Sequence, residues 1–413
     1  MKSAEARDLA LASGRTARHV THLVRGVHQA ISGAVGSAVG AVVGPPATPI
    51  LTAQTVITSG VYAATAFGLD AGARIAGTVS EWRLRAGDDA RSSVHDGRAA
   101  PQALAVALGL WGDTYQWRLP TLAPDLHVRR AGHRVEPTAA GVRAAYDRVT
   151  PQVVVFLHGL FETEAAWRLG ADTRPSYADR LLPDAGFTPV LVRYNTGLRI
   201  SDNGRALAGL LGELVAAWPV PVERIVLIGH SMGGLVLHSA LHVADLPGAQ
   251  GDWRALVTDT ITLGTPHHGS PIARGVHRLG ERLATHEHGR WLGGFLAERS
   301  AGVRDLSHGN LVEEDWHGYD PADGRDRRTH PPAAPGVRHH AVVAVAAVAP
   351  EALSDWLGDL VVSAHSASHG ETDTVQTRYR QDVIAVVRGV THFGLLNNDE
   401  VYGHIRRWLD RSD

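Results

Sequence analysis

The chain has 413 residues, 44% of them hydrophobic, which is enough for a large core and at least one full domain. Lys and Arg number 40 against 42 Asp and Glu, a formal net charge of −2, so no charge excess points to nucleic acid or to an anionic membrane surface. There is no cysteine, which excludes disulfides, thiolate metal sites and cysteine catalysis.

Residues 1–30 read as an exposed helix. They mix acidic and basic groups and lack an apolar run ending in a small-residue cleavage site. A standard secretory signal is therefore not expected, and a cytoplasmic or membrane-associated location follows. Ile31 to Leu69 contain no Asp, Glu, Lys or Arg. There Gly33, Gly36, Gly40 and Gly44 would share one side of a helix that Pro45 and Pro46 end. A second apolar rhythm runs through Ile57, Val61, Ala64 and Gly68. Buried or mutually packed helices are the first reading, peripheral membrane contact the second and spanning the third, because the first stretch is short. Residues 81–98 form a charged connector, and PQALAVALGLWGDTYQWR (101–118) resumes a helical pattern. Residues 1–120 thus read as a mainly helical accessory region, or as a layer packed on residues 121–413.

The character changes near Leu126, where LHVRRAGHRV suggests a short hairpin. Strands are then expected at 153–157, 189–194, 224–229, 258–264, 340–348 and 382–388. Helical stretches are expected around 203–217, 232–243 and 271–298, with a terminal helix at 398–410. Such alternation predicts an α/β fold, a mostly parallel sheet covered by helices on both faces. The polar interval 302–336 shows little periodicity and reads either as a lid or pocket insertion or as a surface excursion.

Gly229-His230-Ser231-Met232-Gly233 matches G-x-S-x-G between an apolar strand, RIVLIG, and a helical run, GLVLHSALHVA. That context is a nucleophile elbow, with Ser231 exposed at the carboxyl edge of the sheet. The backbone N–H of Met232 is one expected oxyanion donor. The second is expected just past His158-Gly159, at Leu160, with Phe161 as the neighbour a one-residue error would select. His158 itself is expected to bond loop backbone. In this arrangement the acid and then the base follow the serine along the chain. His392, after the last strand, is the expected base, whereas His404 falls inside the terminal helix. For the acid the candidates are Glu351, Asp355, Asp359 and Asp373. Asp359, in LGDLVVSAHSAS beside a Gly turn, is preferred, to hold the His392 ring in the useful tautomer.

These pieces, with VVVFLHGL, RYNTGLRISDNGR, LGTPHHGSP and GVTHFGLL, resemble the α/β-hydrolase lipase/esterase group, particularly bacterial enzymes with a short His-Gly oxyanion loop. There is also similarity to membrane-associated lipid deacylases. The resemblance spans about residues 152–396. It implies a Ser231–His392–Asp359 triad, oxyanion N–H groups at Met232 and Leu160, and a covalent acyl-enzyme formed from an ester with an apolar or lipid-like acyl part. Phe161, His230, His267 and Phe393 are expected around the pocket. Thioesterase, amidase or lactonase chemistry on the same scaffold is the alternative, and a non-catalytic binding protein a more distant one. No cofactor and no metal is called for. His267, His268, His308, His339 and His340, with Asp305 and Asp315, match no ligand spacing and read as structural.

Overall fold

Five consecutive apolar residues, Val153 to Leu157, are all buried, with at most 3% exposure each. A run with no polar alternation must be covered on both faces, which is the condition of a central parallel strand. The computed structural model supplies both covers. It describes Glu5, Asp8, Ala12 and residues 93–96, 99–249, 252–270, 300–318, 328–329, 331–345 and 383–410. The apolar stretches of 31–69, the helical stretch expected at 271–298, and Asp359 with its alternatives Glu351, Asp355 and Asp373 lie outside the described residues.

One sheet contains β1 (His127–Arg130), β2 (His133–Val135), β3 (Gln152–Leu157), β4 (Phe187–Arg193), β5 (Arg224–His230), β6 (Val257–Leu263), β7 (Arg338–Val345) and β8 (Val383–Arg388), in the order β2-β1-β4-β3-β5-β6-β7-β8. Strands β3 to β8 run parallel, and β1 pairs antiparallel with β2 and β4. The expected hairpin is present. Ala131 and Gly132 form its two-residue loop with φ of 48° and 84°, the double positive φ that matches a right-handed strand twist.

The helices of the described residues are α1 (Ala99–Arg118), α2 (Ala139–Ala145), α3 (Tyr177–Ala185), α4 (Ile200–Ala217), α5 (Met232–Ala244), α6 (Ala301–His308) and α7 (Asp399–Leu409). The period-2 geometry of a strand divides the core. Val153, Val155 and Leu157 pack with Leu207 and Leu211 of α4 and Leu235 of α5 on one face. Val154 and Phe156 pack with Leu181 of α3 and Ile405 and Trp408 of α7 on the other. The doubly covered, mostly parallel sheet expected from the sequence is the architecture observed. Among the described residues no helix is long and apolar enough to cross a membrane.

The polar interval from 302 opens differently from the irregular segment its composition suggests. It continues α6, which Ser300 caps through Val303 N at 3.2 Å and Gly309 ends at φ 76°. Its centre, Asp305, is fully buried, accepting from Arg199 Nη1 at 2.6 Å and from Ile200 N at 3.0 Å. A helix that docks through a buried carboxylate hides its inner face from a count of apolar residues.

A second buried carboxylate joins three strands. Asp259 of β6 accepts from Arg224 of β5 at 2.9 Å, from Arg338 of β7 at 2.8 Å and from His340 Nε2 at 3.0 Å. Burial opposes its ionisation, but the hydrogen bonds from His340, Arg338, Thr258 and Arg224 outweigh burial and hold the carboxyl far below the usual range. Its stabilising contribution is therefore complete above the unfolded-state pKa of about 4 and is lost as pH falls below it. Asp259→Asn is expected to lower stability at pH 7 by about 3 kcal/mol in urea denaturation, and to flatten the acid limb of stability against pH. An unchanged midpoint would contradict this role.

Candidate active site

The elbow forms where β5 meets α5. Ser231 lies between His230 and Met232 with φ 51° and ψ −122°, and its side chain makes no capping bond to the helix. That backbone region is sparsely populated by residues with a Cβ and costs about 1–3 kcal/mol, so the surroundings must enforce it. They do so on two sides. Ser231 N donates to Leu263 O at 2.9 Å, and Gly234 N donates to Ser231 O at 3.1 Å. A Cβ on Gly229 would lie 2.5 Å from Gly234 N, and one on Gly233 would press on the carbonyl oxygens of Leu157 and His158. Helix α5 thus starts against the end of β3, with its N-terminus at the serine.

The loop after β3 is a tight turn. Glu162 N donates to Gly159 O at 3.3 Å, closing Gly159-Leu160-Phe161-Glu162. Phe161, third in the turn, has φ 64°, the mark of a type II turn that usually takes Gly or Asn there. The N–H of the second residue, Leu160, is not used by the hydrogen bond that closes such a turn. A Cβ on Gly159 would lie 3.1 Å from Ser231 Cβ, so the turn rests directly against the serine.

His158 supports this turn from below. Its Nδ1 lies 2.9 Å from Gly159 O, and Tyr194 N donates toward its Nε2 at 3.4 Å. The ring stacks on Tyr194 at 4.4 Å, whose hydroxyl donates to His158 O at 2.7 Å. Complete burial pushes the His158 pKa down, in keeping with a neutral ring that donates from Nδ1.

The sequence reading missed Glu162. Its Oε2 accepts Gly159 N at 2.6 Å and faces His230 Nδ1 at 3.1 Å, while His230 Nε2 lies 3.1 Å from His392 O. Burial opposes ionisation of Glu162, but His230 and the Gly159 N–H outweigh it and hold the carboxyl below the usual range. One buried chain of contacts thus joins the turn after β3, the residue before Ser231 and the loop that carries His392. The signal in the sequence was a carboxylate three residues past Gly159. Its partner was hidden because β3 and β5 are neighbours only in the folded sheet.

The structure brings His392 to this end of the sheet, just after β8, with its ring 4.7 Å from that of His230 and 5.7 Å from that of Phe393. His230, expected around the pocket, is wholly buried, with Glu162 Oε2 and His392 O each 3.1 Å from one of its nitrogens. His267 is also buried, 5.4 Å from the His238 ring and 3.4 Å from Thr262 Oγ1. His404 lies on α7 beside Arg407 and Trp408. His340 stacks on Trp408, His339 faces Thr260 Oγ1, and Asp315 accepts the N–H groups of Leu311 and Val312.

A strained serine at a strand-to-helix turn, at the carboxyl edge of a doubly covered parallel sheet, is the arrangement of the α/β-hydrolase fold. The family model described as a PGAP1-like alpha/beta domain matches residues 212–287, which hold the elbow. Among solved structures, the mature lipase BlEst2 of Bacillus licheniformis is similar at 20% identity, covering 64% of this chain and 94% of that one, with a TM-score of 0.40. The phospholipase PlaB of Legionella pneumophila is similar at 18% identity, covering 63% and 60%, with a TM-score of 0.39. Lipase 1 of Pelosinus fermentans follows at 13% identity, covering 64% and 100%, with a TM-score of 0.37. No curated protein matches the sequence. The fold rests on the strand order and the elbow rather than on these likenesses.

Removing Glu162 would strand two buried donors. Glu162→Ala is expected to cost about 2–4 kcal/mol in urea denaturation, and Glu162→Gln less, because its amide oxygen still accepts. Equal midpoints for wild type and Glu162→Ala would contradict the linkage described.

Proposed function

We propose that the protein hydrolyses carboxylic esters through a covalent acyl-enzyme on Ser231. The observation that supports this most directly is the backbone of Ser231, held at φ 51° with its hydroxyl left out of helix capping. A strain of that kind is retained where it exposes a reactive group. In the proposed reaction His392 takes the hydroxyl proton as Ser231 attacks the acyl carbonyl. The N–H groups of Met232 and Leu160 bind the resulting oxyanion. The tetrahedral intermediate then collapses, and His392 passes its proton to the leaving alcohol. Water, deprotonated by His392, attacks the acyl-enzyme, and the second intermediate collapses to the acid as His392 returns the proton to the Ser231 oxygen. Asp359 is assigned as the residue that orients His392, on the order of Ser, Asp and His along the chain. The scheme calls for no cofactor.

The substrate class follows from the surroundings. Leu160 and Phe161 follow Gly159, which rests against Ser231, and Phe393 follows His392; all three are apolar and partly buried. Apolar neighbours of that kind favour an apolar or lipid-like acyl group over a charged one.

Ser231→Ala is expected to lower kcat/KM on p-nitrophenyl esters by at least about 10⁴-fold with the melting temperature preserved, and Asp359→Asn by about 10³–10⁴-fold. Retained turnover in Ser231→Ala would contradict the nucleophile, and in Asp359→Asn the acid. Across an acyl series from acetate to longer chains, kcat/KM is expected to rise. A profile that falls steadily from acetate would contradict the apolar acyl site.

A further inference from the structure

Helix α1 precedes the sheet in sequence, yet it packs on the loops at the carboxyl edge. Gln102 Nε2 donates to Phe161 O at 3.1 Å. Seven residues further, on the same helix side, Gly109 faces the Phe161 ring so closely that a Cβ there would collide with it. Gly112 lies against Asn195 and Gly197 in the loop after β4, and Asn195 Nδ2 donates to Gly112 O at 3.0 Å. The helix departs from ideal geometry at Trp111. Near that kink Ser300 Oγ donates to Gly109 O at 2.7 Å, and Asp113 Oδ2 accepts Ala301 N at 2.9 Å, tying α1 to the start of α6.

We propose that α1 is a clamp on the turn after β3, with Gln102 as a positioning residue that holds the Gly159–Glu162 turn in its strained shape. The physical need is specific. Phenylalanine at a positive φ sits in a turn position that favours Gly or Asn, so the isolated loop would relax toward another turn. Glu162 fixes the start of the turn through Gly159 N, and Gln102 fixes its far side through Phe161 O. Between these two anchors lies the Leu160 N–H. The ring of Phe161, fitted onto Gly109, keeps the turn from swinging toward α1. The clamp rests on the reading of Leu160 as an oxyanion donor for its catalytic meaning, but not for its structural one.

The test uses the full chain with Gln102→Leu and Gln102→Glu, both of which lose the donor, and Gly109→Ala as a steric probe. Hydrogen exchange is followed in peptides spanning 158–163, and kcat and KM are measured on a p-nitrophenyl ester. With the clamp as proposed, both Gln102 variants exchange at least about fivefold faster in that segment while β5 and α5 keep wild-type protection. Their kcat falls about tenfold with KM within about twofold, the signature of a displaced transition-state contact rather than lost binding. Unchanged exchange in all three variants would overturn the clamp. Faster exchange with wild-type kcat would overturn it as a positioning device. If the wild-type protein hydrolyses no ester, the functional reading fails, and the exchange data alone decide whether α1 holds the turn.

Discussion

The site depends on one backbone constraint, the positive φ of Ser231. A residue with a Cβ holds that conformation only when both flanking elements are fixed. Here β5 is fixed by its ladder to β6, which extends one residue past the strand through Ser231 N and Leu263 O. Helix α5 is fixed by its approach to the end of β3, where Gly233 leaves no room for a side chain. The strain is therefore carried by the sheet as a whole, and the serine's position follows from the register of three parallel strands.

Around that constraint the surrounding loops are bound to one another rather than only to the sheet. Glu162 and His230 connect the turn after β3 with the loop of His392. Both groups are buried, so their contacts act in a low-dielectric interior where an unpaired partner is costly. The more distant Asp259 cluster secures β5, β6 and β7 at the opposite, amino-terminal end of those strands. Electrostatic ties thus brace both ends of the sheet, and the apolar layers fill the space between them.

Much of this was legible in the sequence. The strands stand out because a doubly covered parallel sheet needs unbroken apolar runs such as Val153–Leu157. The elbow stands out because Gly229 and Gly233 are steric necessities on either side of Ser231. His392 was expected after the last strand, and it does follow β8. What stayed hidden depends on long-range contacts. Glu162 reads as one acidic loop residue among many until β3 and β5 are side by side. The partners of His230, Glu162 and the loop of His392, lie far from it in the sequence. Helix α6 was obscured because Asp305 occupies its inner face, although Ser300 and Gly309 were available as start and stop signals. The packing of α1 on the loops at the carboxyl edge rests on Gly109 and Gly112, whose lack of a side chain gives no sign of a contact.

The central claim is that Ser231 carries an activated hydroxyl. It is tested most directly by incubating the protein with a fluorophosphonate and locating the adduct by mass spectrometry. The account predicts one covalent adduct per chain, on the peptide containing Ser231 and at that residue, and none on protein unfolded beforehand. A protein that stays unmodified, or that is modified at another serine, would contradict it.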